Sequence, residues 1–579
     1  MSWVFGIIKS DGSVPFPNGF EGLHSNPLAK FSSPNIYIAL GGIPHTCFYE
    51  VQEKSPETGW AMVGVGIRII GPEARILTKE DWKKLFSISP FPVHTLDGHF
   101  IAFRWNKNEI EFYSDQLGIR TLYFGKCREG ICFSTRCDWV AQVTQHQELN
   151  LGAIGGRWLL FNQLTYDSCI KGIERLGPSG NVILRNGAVI KNECHPFLPE
   201  FKKTSDSQSE LILESLIRSA VRSNTTVALA LSGGFDSRTI LAILMAEQNT
   251  KFDVFTFGES EDPDVKISTA IAKQLGIQHH CFQEPIPDIQ SLIPIVHEFA
   301  AQNMLVEPVS AILRLRHYSE LHSQGYIIID GGFGEIARRQ YLNRMIKLGR
   351  SALFQRDTGQ LFQLLSTHRS DIFTQEFTKE MKDAVYQDLD RTLETMPPAR
   401  EIGIANFVDL LSVRARVPNF GGPEQIRSDA MIMSFMPMVQ PTFLRSIFKT
   451  DIALRNNGRL YKRIIRMKAS YLQKFPLVKA GMTYPYGLTS SAAWLVTKVK
   501  SKISTSYNDS TPDRFLHQLR EFISDSIHTS EVISWYGYDR NKVQKTVEAY
   551  YKGEKNHQKA VNWWLTFEIW KRSLKSSIL

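Results

Sequence analysis

Val227-Ala228-Leu229-Ala230-Leu231-Ser232-Gly233-Gly234-Phe235-Asp236-Ser237 is an apolar, β-rich run that breaks into a short Gly-Ser loop. Thr239-Ile240-Leu241-Ala242-Ile243-Leu244-Met245 follows it and reads as a helix. A strand, a tight loop and a helix start bring backbone N–H groups and the positive end of a helix dipole to one point, which makes an anion site. Gly233 and Gly234 let the backbone approach a phosphate closely. Asp236 supplies a carboxylate able to hold a magnesium ion that bridges phosphate oxygens. The loop is not the G-x-x-x-x-G-K-S/T phosphate loop, because it has no lysine at the required place.

Downstream of Glu210 strands alternate with helices. A helix near 210–223 leads into the strand before the loop. Phe252-Asp253-Val254-Phe255-Thr256-Phe257 is a second strand, and a helix near 264–275 ends at Gly276 as a C-cap would. Tyr326-Ile327-Ile328-Ile329 is a third strand. The alternation predicts a doubly wound parallel sheet with its ligand beyond the carboxyl ends of the strands. Beyond about residue 340 the pattern is helical, and it closes with the aromatic-rich helix Ala560–Arg572, whose tryptophans read as core anchors.

Upstream, residues 1 to about 195 are β-rich. Tyr37–Leu40, His99–Trp105 and Ile110–Ser114 are short strands separated by turn residues such as Asn106-Lys107-Asn108 and Gly118. Gly180 to Ile190 reads as strand, Asn-Gly turn and strand. The polar stretch Lys202–Ser209 suits a linker, so the chain is divided into residues 1–200 and 201–579.

The bulk numbers describe an ordinary globular chain: 579 residues, 43% hydrophobic and 22% charged. No apolar run has transmembrane length, and no basic segment precedes a long apolar core at the N-terminus. Seven scattered cysteines without a C-x-x-C pair fit a reducing cytoplasm. Cys127, Cys132 and Cys137, spaced by five, read as strand and loop residues rather than metal ligands. The net charge of +9 is uneven: residues 452–508 hold eleven basic residues and no acidic one. That field reads as a solvated basic face beside a triphosphate site. No motif points to nucleic acid or to a membrane.

Ser232–Ser237 resembles the S-G-G-x-D-S pyrophosphate loop of enzymes that cleave ATP to AMP and pyrophosphate, and nearly the whole chain resembles the glutamine-dependent asparagine synthetase family. Leu96-Asp97-Gly98-His99-Phe100 looks like the family's L-D-G-x-F element, and Asp115–Tyr123 looks like D-x-x-G-x-x-P-L-Y with Thr121 in place of proline. Phe133-Ser134-Thr135 is similar to F-A-S, and Lys171-Gly172-Ile173 to K-G-I. Asp330-Gly331-Gly332-Phe333-Gly334-Glu335 stands where the family has S-G-E/D-G-S/G-D-E, and Lys479 lies in a similar K-x-x-x-x-x-P setting ending at Pro485. The resemblance implies a β-rich Ntn-hydrolase-like αββα sandwich followed by an α/β ATP-pyrophosphatase domain with a helical extension.

It also implies roles. Leu231, Ser232, Gly233, Gly234, Asp236, Ser237, Phe257, Gly258 and Gly332 would bind ATP, with Leu231 and Phe257 against the base. Asp236 and Glu335 would hold Mg2+, with Asp330 in reserve, and Glu335 and Lys479 would serve the reacting centre, Lys479 as a point cation. The family's N-terminal nucleophile is a cysteine; here Ser2 takes that place, Trp3 replaces a glycine, and the N-G-E-I-Y-N stretch has no counterpart between Gly59 and Phe100. Glutamine hydrolysis is therefore not expected. Three readings stay open. One is an adenylating amide ligase acting on a small-molecule or peptide substrate that carries a carboxylate and an amine, like β-lactam synthetases or lasso-peptide macrolactam cyclases, with a precursor-processing protease as a partner protein. Another is an amidotransferase making asparagine or a sugar uronamide, and the last is a non-catalytic scaffold.

Overall fold

Two antiparallel sheets stack face to face in the first part of the chain. The computed structural model describes residues 2–17, 19–24, 26–52, 55–202, 207–221, 226–247, 250–283, 285–503 and 507–575. The first sheet centres on Trp3–Lys9, flanked by Gly130–Ser134 and Ile36–Gly41. The second centres on Leu96–Asn106, flanked by Glu109–Ser114 and Ser55–Ile70. Side chains alternate across a strand, and Trp3–Lys9 is buried on both faces. Val4 and Ile8 join Phe103, Phe112 and Phe133 in the core between the sheets. Trp3, Phe5 and Ile7 face an outer helical layer.

That outer layer draws on both ends of the chain. Helices Cys137–Thr144 and Leu151–Leu159 share one apolar cluster with Ile289–Asn303 and with the last helix, Gln558–Ser573. Trp563, Trp564 and Trp570 are buried in it, as core anchors should be. A division at residue 200 thus separates two halves that share one core. Half of the linker reading, Lys203–Asp206, lies outside the described residues, and Ser207–Ser209 open the helix Ser207–Val221. The other face of the second sheet is covered by helix Lys79–Phe86, started by a Thr78/Asp81 capping box and anchored by the fully buried Trp82.

The second half is built on a five-stranded parallel sheet in the order His279–Phe282, Phe252–Phe257, Thr226–Ala230, Tyr326–Ile329, Ser434–Phe435. The inner three strands stand where the sequence places them. The two edge strands escape sequence reading: one is half polar, the other two residues long. Helix Phe235–Ala246 starts earlier than the apolar run Thr239–Met245 suggests, with Gly234 as its N-cap, so Asp236 lies in its first turn. Beyond residue 340 the described residues are mainly helical, with that edge strand and the hairpin Leu477–Lys479/Met482–Tyr484, whose turn has φ +50° at Ala480 and +69° at Gly481. No helix among the described residues is long and apolar enough to cross a membrane. All seven cysteines are free thiols, and Cys127, Cys132 and Cys137 are buried.

Candidate functional site

The loop after the central strand is held from behind. Thr256 Oγ1 and Ser268 Oγ donate to the Leu231 carbonyl at 2.8 and 3.1 Å. Within the loop, Ser232 N donates to Ser237 Oγ at 3.1 Å, and Gly234 N donates to Ser232 Oγ at 3.2 Å. Gly233 N donates to Asp264 Oδ1 at 2.7 Å. One N–H of the cradle thus already carries an anion, supplied by the neighbouring helix Pro263–Leu275. Burial pushes the Asp264 carboxyl above its ordinary range, and the Gly233 bond pulls it back.

Opposite the loop stands an acidic wall. Asp330 ends the strand Tyr326–Ile329 and accepts from Gly332 N at 2.9 Å. Phe333 then takes a left-handed backbone, φ +65°, which is strained for a bulky side chain. Gly334 follows where the wall meets the loop: a Cβ there would lie 2.5 Å from the Asp236 carboxylate and 2.7 Å from Met438 Sδ. Both expected magnesium carboxylates carry arginine partners. Arg338 grips Asp236 at two points, Nε to Oδ1 at 2.8 Å and Nη2 to Oδ2 at 3.0 Å. Arg416 Nε reaches Glu335 Oε1 at 3.0 Å while its guanidinium packs against the rings of Phe333, Tyr341 and Phe420. Burial raises the pKa of Asp236 and Arg338 opposes it; burial raises Asp330 as well, and Asp236 and Glu335 add to the rise.

Lys479 reaches this region from 245 positions downstream of Gly234. Its hairpin is stitched onto the loop: Val478 N donates to the Gly233 carbonyl at 3.0 Å. A Cβ on Gly233 would collide with the Val478 side chain. Arg238, fully buried one turn into the helix, donates to the carbonyls of Leu472, Phe475, Pro476 and Gly233 and clamps both segments together. Burial lowers the Arg238 pKa to about 10. Burial, Arg338 and Lys347 lower that of Lys479.

Loop and wall open on one cleft of about 640 Å³. Leu231, Ser232, Asp236, Ser237, Phe257, Gly258, Gly332, Glu335 and Asp330 all line it. Gly233, Gly234 and Lys479 do not. The first two lie in the loop itself and Lys479 on the hairpin packed against Gly233. A cavity of this size is in the range of small-molecule sites. For magnesium the donor set is right in kind, hard carboxylate oxygens. Among the described residues, however, no three acidic, histidine or cysteine side chains come together to hold a cation unaided. A magnesium ion here would take one or two of these carboxylates and complete its shell with phosphate oxygens and water. Sequence reading missed Arg338, Arg416, Asp264 and Arg238. Only Asp264 left a signal, the helix start Asp262-Pro263-Asp264.

At the N-terminus, Ser2 has no exposed surface. Its hydroxyl meets Thr46 Oγ1, and its carbonyl accepts from Arg120 Nη1 at 2.6 Å. The Trp3 indole stacks on His24 at 5.2 Å and meets Trp139 edge-on at 5.1 Å in the helical layer.

Residues 210–326 match a family model described as Asparagine synthase. Over 83 residues the chain is 30% identical to the asparagine synthetase (glutamine-hydrolyzing) of Gallus gallus, a stretch covering 14% of this chain and 15% of that relative's length. The U34-tRNA thiolase NcsA from Methanococcus maripaludis with its 4Fe-4S cluster overlaps 38% of this chain and 79% of its own, at 10% identity and a TM-score of 0.19. Glutamine phosphoribosylpyrophosphate amidotransferase from B. subtilis, complexed with ADP and GMP, overlaps 57% and 75%, at 13% identity and a TM-score of 0.20. Overlaps this loose do not establish a common fold.

Proposed function

We propose that this chain is an ATP-dependent amide ligase of asparagine synthetase type, which adenylates a substrate carboxylate, releases pyrophosphate and lets an amine take the acyl group. The observation that carries this reading is the Ser232–Ser237 loop, seated after the central parallel strand inside the segment that matches the Asparagine synthase model and opening on the cleft with Asp236 and Glu335. The first part of the chain is then a degenerate Ntn-hydrolase-like sandwich. Glutamine is not its nitrogen source, because Ser2 is enclosed.

ATP is the co-substrate. Leu231, Phe257 and Gly258 receive the base, and the loop receives the phosphates. The N–H of Gly233 becomes available as Asp264 yields it, a carboxylate exchanged for a phosphate oxygen. Asp236 or Glu335 would hold magnesium, which would supply charge neutralisation for the phosphates. In such a transfer there is little covalent work for the protein, so positioning and charge stabilisation carry the rate. Arg338 and Lys479 are cations near the loop; Lys479 offsets charge that develops at the reacting centre. The acyl donor and the amine reside on a small molecule or a peptide, in the manner of macrolactam-forming relatives, and a precursor-processing protease is the fitting partner.

The test is ATP–pyrophosphate exchange across a panel of carboxylates with Mg2+. Exchange with a particular acid, together with AMP in single turnover, is expected. ADP in place of AMP, or no nucleotide binding at all, overturns the reading.

A further inference from the structure

We infer that the N-terminal sandwich is the positioning platform for the acidic wall of the cleft, acting through Arg120, His99, Arg175 and Asp97; the inference rests on the ligase reading above. These tethers all land on one stretch, residues 418–442. Arg175 donates to the Pro418 carbonyl at 2.9 Å and to Asn419 Oδ1 at 2.6 Å. Arg120 forms a closed ion pair with Asp429, both fully buried. His99 Nε2 meets the same carboxylate at 3.0 Å. Gly98 N donates to Gln440 Oε1 at 2.7 Å, and Asp97 accepts from Thr442 N at 3.1 Å and from Thr442 Oγ1 at 3.0 Å.

This stretch is what the wall rests on. Arg416, two residues before Pro418, holds Glu335. Gln425 donates to Asp429 Oδ1 at 2.9 Å and to the Ser434 carbonyl at 3.0 Å, which ties the clamp to the edge strand. That strand pairs with Tyr326–Ile329, and Asp330 N donates to the Phe435 carbonyl at 3.0 Å. Met438 Sδ backs Gly334. Glu335 is therefore two contacts from Arg175, through Arg416 and the Pro418 carbonyl, and Asp330 is three from His99, through Phe435, the Ser434 carbonyl and Gln425.

Simple adhesion between two halves does not call for this chemistry. A buried arginine–carboxylate pair is weak evidence for stability, since desolvation offsets its attraction. What it supplies is registry: a fixed fork geometry that an apolar contact lacks. The carbonyl of Ser2 is another acceptor for Arg120, so the first described residue of the chain belongs to the clamp.

The experiment uses the full chain with Arg120→Lys and His99→Gln, which keep a donor in place. Hydrogen exchange of 330–337 and 417–435 is expected to rise by about tenfold in both, with the strands Thr226–Ala230 and Phe252–Phe257 unchanged. The Mg2+ concentration giving half-maximal ATP binding is expected to rise by about tenfold, while ATP affinity in EDTA stays within about twofold. An exchange increase confined to residues 96–121, or spread evenly over the chain, overturns the inference. So does an unchanged magnesium dependence in variants of a wild type that binds ATP. A wild type that binds no ATP under any condition sinks the ligase reading instead, and the exchange pattern still decides whether the sandwich supports the wall.

Discussion

Arg338 grips Asp236 at two points, at 2.8 and 3.0 Å, so the carboxylate expected to serve a metal is already charge-compensated by the protein. On the proposed ligase reading, a cation arriving with a triphosphate would share that carboxylate or displace the guanidinium toward the phosphates, and either way the pair would set how strongly nucleotide binding depends on magnesium.

Asp236→Asn removes both the metal carboxylate and the partner of Arg338. Pyrophosphate release is expected to vanish, and urea unfolding is expected to show a loss of about 2 kcal/mol, as for a hydrogen bond to a charged group. Pyrophosphate release at the wild-type rate would remove Asp236 from the metal site.

Lys479→Ala is expected to lower turnover by far more than it weakens ATP binding, because the ammonium acts on charge that develops during transfer. Single-turnover rates and equilibrium nucleotide titration separate the two. Equal losses would reassign the lysine to ground-state binding.

Arg238→Met removes the arginine donor from four carbonyls, leaves those of Phe475 and Pro476 without it while Gly233 keeps Val478 N and Leu472 keeps Phe475 N, and loosens the hairpin on the loop. A destabilisation of about 3 kcal/mol is expected from the unsatisfied buried acceptors. ATP affinity should fall with it, since the Gly233 segment loses its backing. A variant as stable as wild type by chemical denaturation contradicts this.

Asp97 supplies a pH test. Burial pushes its carboxyl up from 3.8 to about 6, with Thr442 and Arg445 pulling the other way. Its folded pKa exceeds its unfolded one, so between these values the folded chain holds the extra proton. The stability it confers is complete below the unfolded pKa and is lost as pH rises through about 6. The stability difference between wild type and Asp97→Asn, measured by urea unfolding, should fall across that window and flatten above it. A difference that rises with pH there refutes the assignment.

Ser2→Ala is expected to change neither glutamate production from glutamine, which should be negligible in both, nor ATP binding. The hydroxyl faces Thr46 and is closed to solvent. Glutamate release that depends on Ser2 would show that the N-terminus opens.

Strong periodicity made much of this legible. The runs ending at Ala230, Phe257 and Ile329 are apolar and bounded, and the structure keeps them as strands. The Asn186-Gly187 turn reads correctly because only such residues take its positive φ values of 49° and 69° readily. Ser434–Phe435 was invisible because two residues carry no period, and its pairing with Tyr326–Ile329 decides it. The cleft residues named from the sequence cluster at the ends of three strands, those ending at Ala230, Phe257 and Ile329. Their partners were not named from it: Arg338 and Arg416 are joined to their carboxylates only by tertiary folding, 102 and 81 residues away. The clamp from Arg120 to Asp429 spans 309 residues and leaves no local pattern.

The bond from Val478 to Gly233 has a consequence for biogenesis. The loop leaves the ribosome before the strand that backs it, which follows some 240 residues later. A nascent chain arrested before that point would carry the loop without the strand that backs it, so a nucleotide site built on the loop would be finished only once Val478 has emerged.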